Sequence, residues 1–284
     1  MTERVFIIGP GHVGRGLFRA FRASGVDVVG MHGMRPAGVA TSTGNIPTDA
    51  ARANVVIVCV RDPQLDDTIE EVIVAAHEGR IARDTVILHT SAIAEPAGLS
   101  ALTAAGFPGG TFHPLIPFSD PEISAELLRG GWIGIDGENA AKNASRRLAG
   151  HIGARVLEIP PGKKPAYHAA AVISSNFPVV LASVAGHLLH DIGIPDASAY
   201  QAVESLMSGA LANMKQALPD DALTGPIMRG DTETVGKHLR AVQGHGAASE
   251  VYRALSAAAV EIAQRRGVDP KKLAAVAGLL RSRK

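Results

Sequence analysis

Four apolar residues, Val5-Phe6-Ile7-Ile8, run straight into Gly9-Pro10-Gly11-His12-Val13-Gly14. A short apolar run, a G-x-G-x-x-G turn and an amphipathic stretch, in that order, leave few folds open. Gly9 permits a tight turn, Gly11 lets the backbone approach a pyrophosphate, and Gly14 lets a helix pack closely on a strand. The start of that helix offers unpaired N–H groups and the positive end of its dipole to phosphate. Gly9, Pro10, Gly11, His12, Val13 and Gly14 are therefore the first cofactor-binding candidates. The alternative is a glycine-rich turn that holds no ligand.

The opening pattern repeats along the first half. Val26–Val29, Val55–Val60, Val86–Leu88, Gly110–Phe112, Trp132–Ile135 and Arg155–Ile159 are further short strand candidates separated by helix-like segments. Continuous apolar strands alternating with helices predict a largely parallel sheet covered on both faces. At Pro160-Pro161-Gly162-Lys163-Lys164-Pro165 the pattern breaks. Beyond it the sequence predicts helices over about 166–191, 197–217, 232–242, 247–266 and 270–281, with Gly193 and Pro195 closing the first. The expected fold is α/β, a Rossmann-type domain over 1–160 followed by an all-α domain over 161–284.

Composition removes several function classes. Twenty-eight Lys and Arg against 27 Asp and Glu give a net charge of +1, so there is no basic excess for a broad nucleic-acid surface. The single cysteine, Cys59, excludes an internal disulfide and a cysteine metal cluster. His187 and His190 lack the glutamate of a metalloprotease motif, so no metal is expected. The N-terminus carries no signal-peptide pattern, and no uninterrupted apolar run reaches the roughly 18 residues of a membrane helix. The expectation is a cytoplasmic protein with a small-molecule substrate and neither nucleic acid nor membrane as partner.

The residues after the strands sharpen the cofactor. An NAD site usually places Asp or Glu at the end of the second strand. Here Gly30-Met31-His32-Gly33-Met34-Arg35 has no carboxylate, and His32 and Arg35 supply cations suited to the 2′-phosphate of NADP. NADP is therefore expected over NAD. Val60, Arg61 and Asp62 follow the third main strand, Thr90 and Ser91 the fourth, and His113 the fifth. Ligands in open α/β sheets lie beyond these carboxyl ends. Asp62 and Ser91 also read as helix caps, and His113 as a turn residue.

The segments IIGPGHVGRGL (7–17), LHTSA (88–92), FHPLIPF (112–118), YHAAAVISSNF (167–177) and ALTGPIMRGD (222–231) carry a resemblance across most of the chain. The sequence resembles Rossmann-like NADP oxidoreductases with a C-terminal helical domain of unknown function. These are distant relatives of pyrroline-5-carboxylate reductase and of the β-hydroxyacid and 6-phosphogluconate dehydrogenases. Ala92 stands where the family usually has Gly. The resemblance implies a dinucleotide fold, a helical domain that dimerises into a homodimer, and a site between the two domains. It names no substrate.

Related hydroxyacid dehydrogenases place a Lys four residues before an Asn on the first long helix; the matching position before Asn176 is Val172. His168 is the candidate replacement proton donor, with Tyr167 second, and Ser175 and Asn176 are candidate positioning residues; the alternative is a capping or packing histidine and a buried interhelical bond at Asn176. His168 and Asn176 lie eight residues apart, about 12 Å along a helix, so they can line one elongated pocket but not grip one atom. Thr224 and Arg229 are candidate anchors for an acidic substrate, the alternative being an Arg229–Asp231 pair that braces the turn, while Asp231 reads as a helix N-cap. These readings converge on an NADP-dependent oxidoreductase moving hydride to or from a small carbonyl, imine or alcohol. The alternatives are a non-catalytic dinucleotide-binding sensor or scaffold, and a deazaflavin-coenzyme:NADP oxidoreductase.

Overall fold

A computed structural model describes residues 3–35, 38, 40–94, 98–118 and 120–282. Its sheet contains β1 (Arg4–Ile8), β2 (Asp27–Gly33), β3 (Ser42–Thr43), β4 (Val55–Val58), β5 (Val86–His89), β6 (Gly109–Pro114), β7 (Trp132–Gly137) and β8 (Arg155–Glu158). The strand order is β3-β2-β1-β4-β5-β6-β7-β8. Every adjacent pair is parallel except β6 and β7, where Pro114 faces Ile133 and Gly110 faces Gly137. One reversal among seven pairings is what a largely parallel sheet allows. An antiparallel neighbour needs only a return of the chain, not a crossover, and an apolar run carries no mark of its direction.

The helices of this half are α1 (His12–Ala23), α2 (Leu65–His77), α3 (Gly98–Ala104), α4 (Pro121–Leu128) and α5 (Asn139–His151). Alternation along each strand sends side chains to opposite faces. Val5, Ile7, Val55, Ile57, Phe112 and Ile133 pack with Leu17 and Phe21 of α1 and Leu148 of α5. Phe6, Ile8, Val56, Val58 and Ile87 pack with Leu65, Ile69 and Val72 of α2 and Leu102 of α3. Phe21 is fully buried, and sinking such a ring contributes about 1.5–3 kcal/mol, enough to hold α1 firmly against the strands. At the outer edge, β3 is only two residues long and polar, so no hydrophobic period announces it.

The chain then continues as α6 (Lys164–Asp191), α7 (Asp196–Met214), α8 (Pro219–Ala222), α9 (Pro226–Arg229), α10 (Thr232–Ala241), α11 (Gly246–Arg265) and α12 (Pro270–Arg281). Two compact units result, Met1–Ser175 and Asn176–Lys284, so the division falls inside α6. The first turn of α6 belongs to the first unit, where Lys164 pairs with Asp136 of β7. In the second unit, Ile227, Val235, Leu239, Val260, Leu273, Val276 and Leu280 form a small core among α9, α10, α11 and α12. Asp231 caps α10 by accepting from the Thr234 N–H at 3.0 Å.

Helix α6 is apolar on average although no uninterrupted apolar run in it reaches membrane length. Its 28 residues include a stretch of mean hydropathy 1.6 that is long and apolar enough to cross a bilayer, and only 6% of that stretch is buried. Among the described residues it is the single helix that meets this test. Ser, Asn and Pro interrupt the apolar run, while the many Val, Leu, Ile and Ala residues around them keep its average high.

Candidate active site

The site begins at the loop from β1 to α1. Gly9 has φ +108°, a conformation that L side chains rarely adopt. A Cβ there would lie 2.5 Å from the Cys59 carbonyl oxygen. Its N–H donates to the His32 carbonyl at 2.8 Å, tying the loop to β2. A Cβ on Gly14 would overlap the Gly9 carbonyl oxygen. The Pro10 ring lies against Gly33, where a Cβ would meet it at 2.7 Å. Gly11 differs, for nothing lies within 4 Å of the place its Cβ would take. It is the N-cap of α1, makes no side-chain cap, and no acidic residue occupies the first turn. Helix N–H groups left uncapped beside open space suit a diphosphate. The residues present therefore fit a dinucleotide, whose phosphates would lie against Gly9, Pro10, Gly11, His12, Val13 and Gly14.

Strand order places the crevice. The chain leaves β1 toward β2 on one side and resumes at β4 on the other, which is the switch point where such sheets bind ligands. On the β2 side, Arg35 is exposed just past the strand. His32 is not. It is 1% exposed, its Nδ1 lies 3.0 Å from Ser42 Oγ, and burial lowers its pKa. The cation expected there is a neutral imidazole inside the sheet, because β2 runs on to Gly33 rather than ending near Gly30. On the β4 side, Val60 is half-buried, and Arg61 and Asp62 are exposed at the head of a single 3-10 turn. Thr90 is half-buried, its N–H donating to the Val58 carbonyl at 3.0 Å. Ser91 caps the following turn by accepting from Ala94 N–H at 2.9 Å. Cys59 is buried and its thiol is pushed up to about 12, so it is an inert core group.

Beyond β5 and β6 lies a cluster of polar groups that sequence reading had not assembled. Lys164 opens α6 and is 4% exposed. Its Nζ lies 3.1 Å from Asp136 Oδ2 and donates to the Ala94 carbonyl at 3.2 Å. Asp136, on β7, also accepts from the Thr111 N–H of β6 at 3.1 Å. Thr111 Oγ1 lies 3.2 Å from His89 Nε2 at the end of β5. One turn along α6, Tyr167 Oη lies 2.7 Å from His113 Nδ1, and the rings meet edge to face at 5.6 Å. The phenol sits where a Cβ of Gly134 would project, and Gly134 is the cross-strand partner of His113.

Around the Lys164–Asp136 ion pair, burial favours the neutral forms of His89, His113 and Tyr167. Burial lowers His89 to about 4, with the nearby Lys164 charge adding to the effect. Burial lowers His113 to about 4, helped by His168 and opposed by Asp62. Burial raises Tyr167 to about 12. His168 is half-buried, and its Nδ1 is buried without a hydrogen-bond partner. Ser175 and Asn176 are exposed farther along α6. Thr224 and Arg229 are exposed in the second unit. There they line a cavity of about 310 Å³ with Met228, Arg266 and Val268. One sequence signal could have found the cluster. Lys164, Tyr167 and His168 stand at i, i+3 and i+4, one helix face, once α6 is started at Lys164 rather than 166.

Residues 132–281 match the family described as a domain of unknown function, DUF2520. Among curated proteins, no relative matches the chain. A Bacteroides fragilis protein named a candidate NADP oxidoreductase superposes with a TM-score of 0.70 at 19% identity, covering 90% of this chain and 97% of its own. A Thermotoga maritima protein gives 0.68 at 22% identity, covering 92% and 99%. An imine reductase from Myxococcus stipitatus in complex with NADP+ gives 0.62 at 15% identity, covering 95% and 98%. At these identities the likeness is one of fold.

Proposed function

The chain belongs to the DUF2520 family, and on that footing we propose that it is an NADP-dependent oxidoreductase acting on a small carbonyl, imine or alcohol substrate. When bound, the nicotinamide supplies or accepts the hydride. The chain's own part is to seat the diphosphate on the α1 N-terminus, to hold the 2′-phosphate with Arg35, and to manage a proton beside β5 and β6. The observation that carries this reading is the open, uncapped turn at Gly11 set at the switch point of the sheet. The NADP named with the Bacteroides fragilis and Myxococcus stipitatus proteins supports the cofactor.

Arg35 tests the preference for NADP. Its guanidinium is exposed at the end of β2, and charge-assisted bonds to phosphate contribute about 1.5–3 kcal/mol. Arg35→Asp should weaken NADPH binding by about tenfold or more and leave NADH binding unchanged or improved. Calorimetric titration with both cofactors reads this directly, and equal NADPH affinity in the variant would remove the assignment.

Ser175 and Asn176 are proposed to position the substrate, and Thr224 and Arg229 to anchor an acidic group on it. The protein is further proposed to be a homodimer. Among the described residues, α6 and α7 expose Val179, Val180, Leu206 and Leu211, and α7 buries only Ala199 and Val203. Apolar surface of that extent calls for a cover, and a second copy supplies one of matching character. Sedimentation should give twice the 29.4 kDa chain mass; a monomer at micromolar concentration would contradict it.

A further inference from the structure

The first turn of α6 is fastened to β7 twice. Lys164 is held by Asp136, and two residues back along the same strand Gly134 leaves room for the Tyr167 phenol. Those two anchors bring Tyr167 Oη to His113 Nδ1 at 2.7 Å, beside the carboxyl ends of β5 and β6. The nicotinamide half of a dinucleotide whose diphosphate rests on α1 extends toward that side of the sheet. We propose that Tyr167 gives its proton to the oxygen of a carbonyl substrate and that His113 is the relay that reloads it, so the site interconverts carbonyls and alcohols rather than reducing imines. This rests on the NADP-dependent reading above.

The step balances as follows. The carbonyl carbon gains a C–H bond from the hydride of the reduced cofactor, and the C=O π pair passes to oxygen. That oxygen takes the phenolic proton of Tyr167. The phenolate takes the Nδ1 proton of His113 while His113 Nε2 accepts one from solvent. The carbonyl is reduced, the cofactor oxidised, and one solvent proton is consumed.

The chemistry of the pair selects the substrate. Tyr167 and His113 are both neutral across the ordinary pH range, since burial holds one high and the other low. A weakly acidic phenol protonates an alkoxide readily and an imine nitrogen poorly, because only the alkoxide is the stronger base. Imine reduction passes through the protonated cation, which calls for a stronger acid or an unpaired anion at nitrogen. Asp136 is engaged by Lys164 and the Thr111 N–H. The other groups facing the pair are His168 and Asp62 at His113, with His89 and Lys164 behind them. Asp62 opposes the lowering of His113 without overcoming it.

The test uses the full chain with NADPH and two probe sets, one of aldehydes, ketones and 2-oxoacids, the other of cyclic imines. A carbonyl probe should oxidise NADPH. Tyr167→Phe should then lower kcat by about 10²-fold or more while leaving KM and NADPH affinity within about twofold. His113→Gln, which cannot pass a proton through its side chain, should lower kcat by about tenfold and alter its pH profile. A second readout needs no substrate. With carbon-13 tyrosine, the Tyr167 Cζ resonance, assigned by its loss in Tyr167→Phe, should move between the NADPH and NADP+ complexes, because only the oxidised ring is a cation. Turnover of imines in preference to every carbonyl, unchanged kcat in Tyr167→Phe, no turnover with NADPH bound, or a Tyr167 resonance indifferent to cofactor charge would each overturn the proposal while sparing the cofactor reading. Failure of NADPH to bind would overturn that reading, and this inference with it.

Discussion

Replacing Lys164 with methionine is expected to cost about 3 kcal/mol of stability, the low end of the penalty for breaking a buried ion pair, because the Asp136 carboxylate left alone is 23% exposed. Lys164 is 4% exposed and its ammonium is the cation beside Asp136. Without it, Asp136 keeps only the Thr111 N–H among its described partners. Pairing the change with Asp136→Leu should return most of the loss, since a well-packed apolar pair is often as stable as the ions it replaces. Thermal or urea unfolding of the two single variants and the double variant measures the coupling. If Lys164→Met costs less than about 1 kcal/mol, the ion pair is not what fastens α6 to the sheet.

The second large effect is expected at Gly14, where alanine should both destabilise the protein by about 3 kcal/mol and abolish dinucleotide binding. Overpacking a rigid site commonly costs about 1–3 kcal/mol. Here the added methyl would meet a main-chain oxygen, that of Gly9, which cannot swing aside as a side chain does. Either α1 moves away from β1 or the turn opens, and in both cases the N–H groups leave their alignment. A variant with wild-type melting temperature and intact NADPH binding would show that the turn tolerates what its geometry forbids.

Much of this was legible in the residues. The β-branched runs at 55–60 and 86–88 announced buried strands because a sheet covered on both sides needs apolar residues at every position. Gly9, Gly11 and Gly14 announced their turn because each answers a different steric demand. The direction of β7 was not legible, for Trp132-Ile133-Gly134-Ile135 reads alike both ways. The neutrality of His32 was hidden by where β2 ends, a matter of three residues that carry the ring from the loop into the sheet. Lys164 lay in the proline-rich break between the two halves of the sequence, and only the fold brings Asp136 to it. His113 and Tyr167 were each visible as candidates, but a contact spanning 54 residues has no local sequence signature.

The central claim is that the turn before α1 holds the diphosphate of NADP, and Gly11 allows it to be tested apart from the fold. Its φ of −74° suits any residue and its Cβ direction is open, so Gly11→Val should fold as the wild type does. Calorimetric titration of NADPH into the two proteins is the direct measurement. The account predicts heat of binding with the wild type and none with a variant of equal melting temperature; no heat from the wild type, or undiminished binding by Gly11→Val, would contradict it.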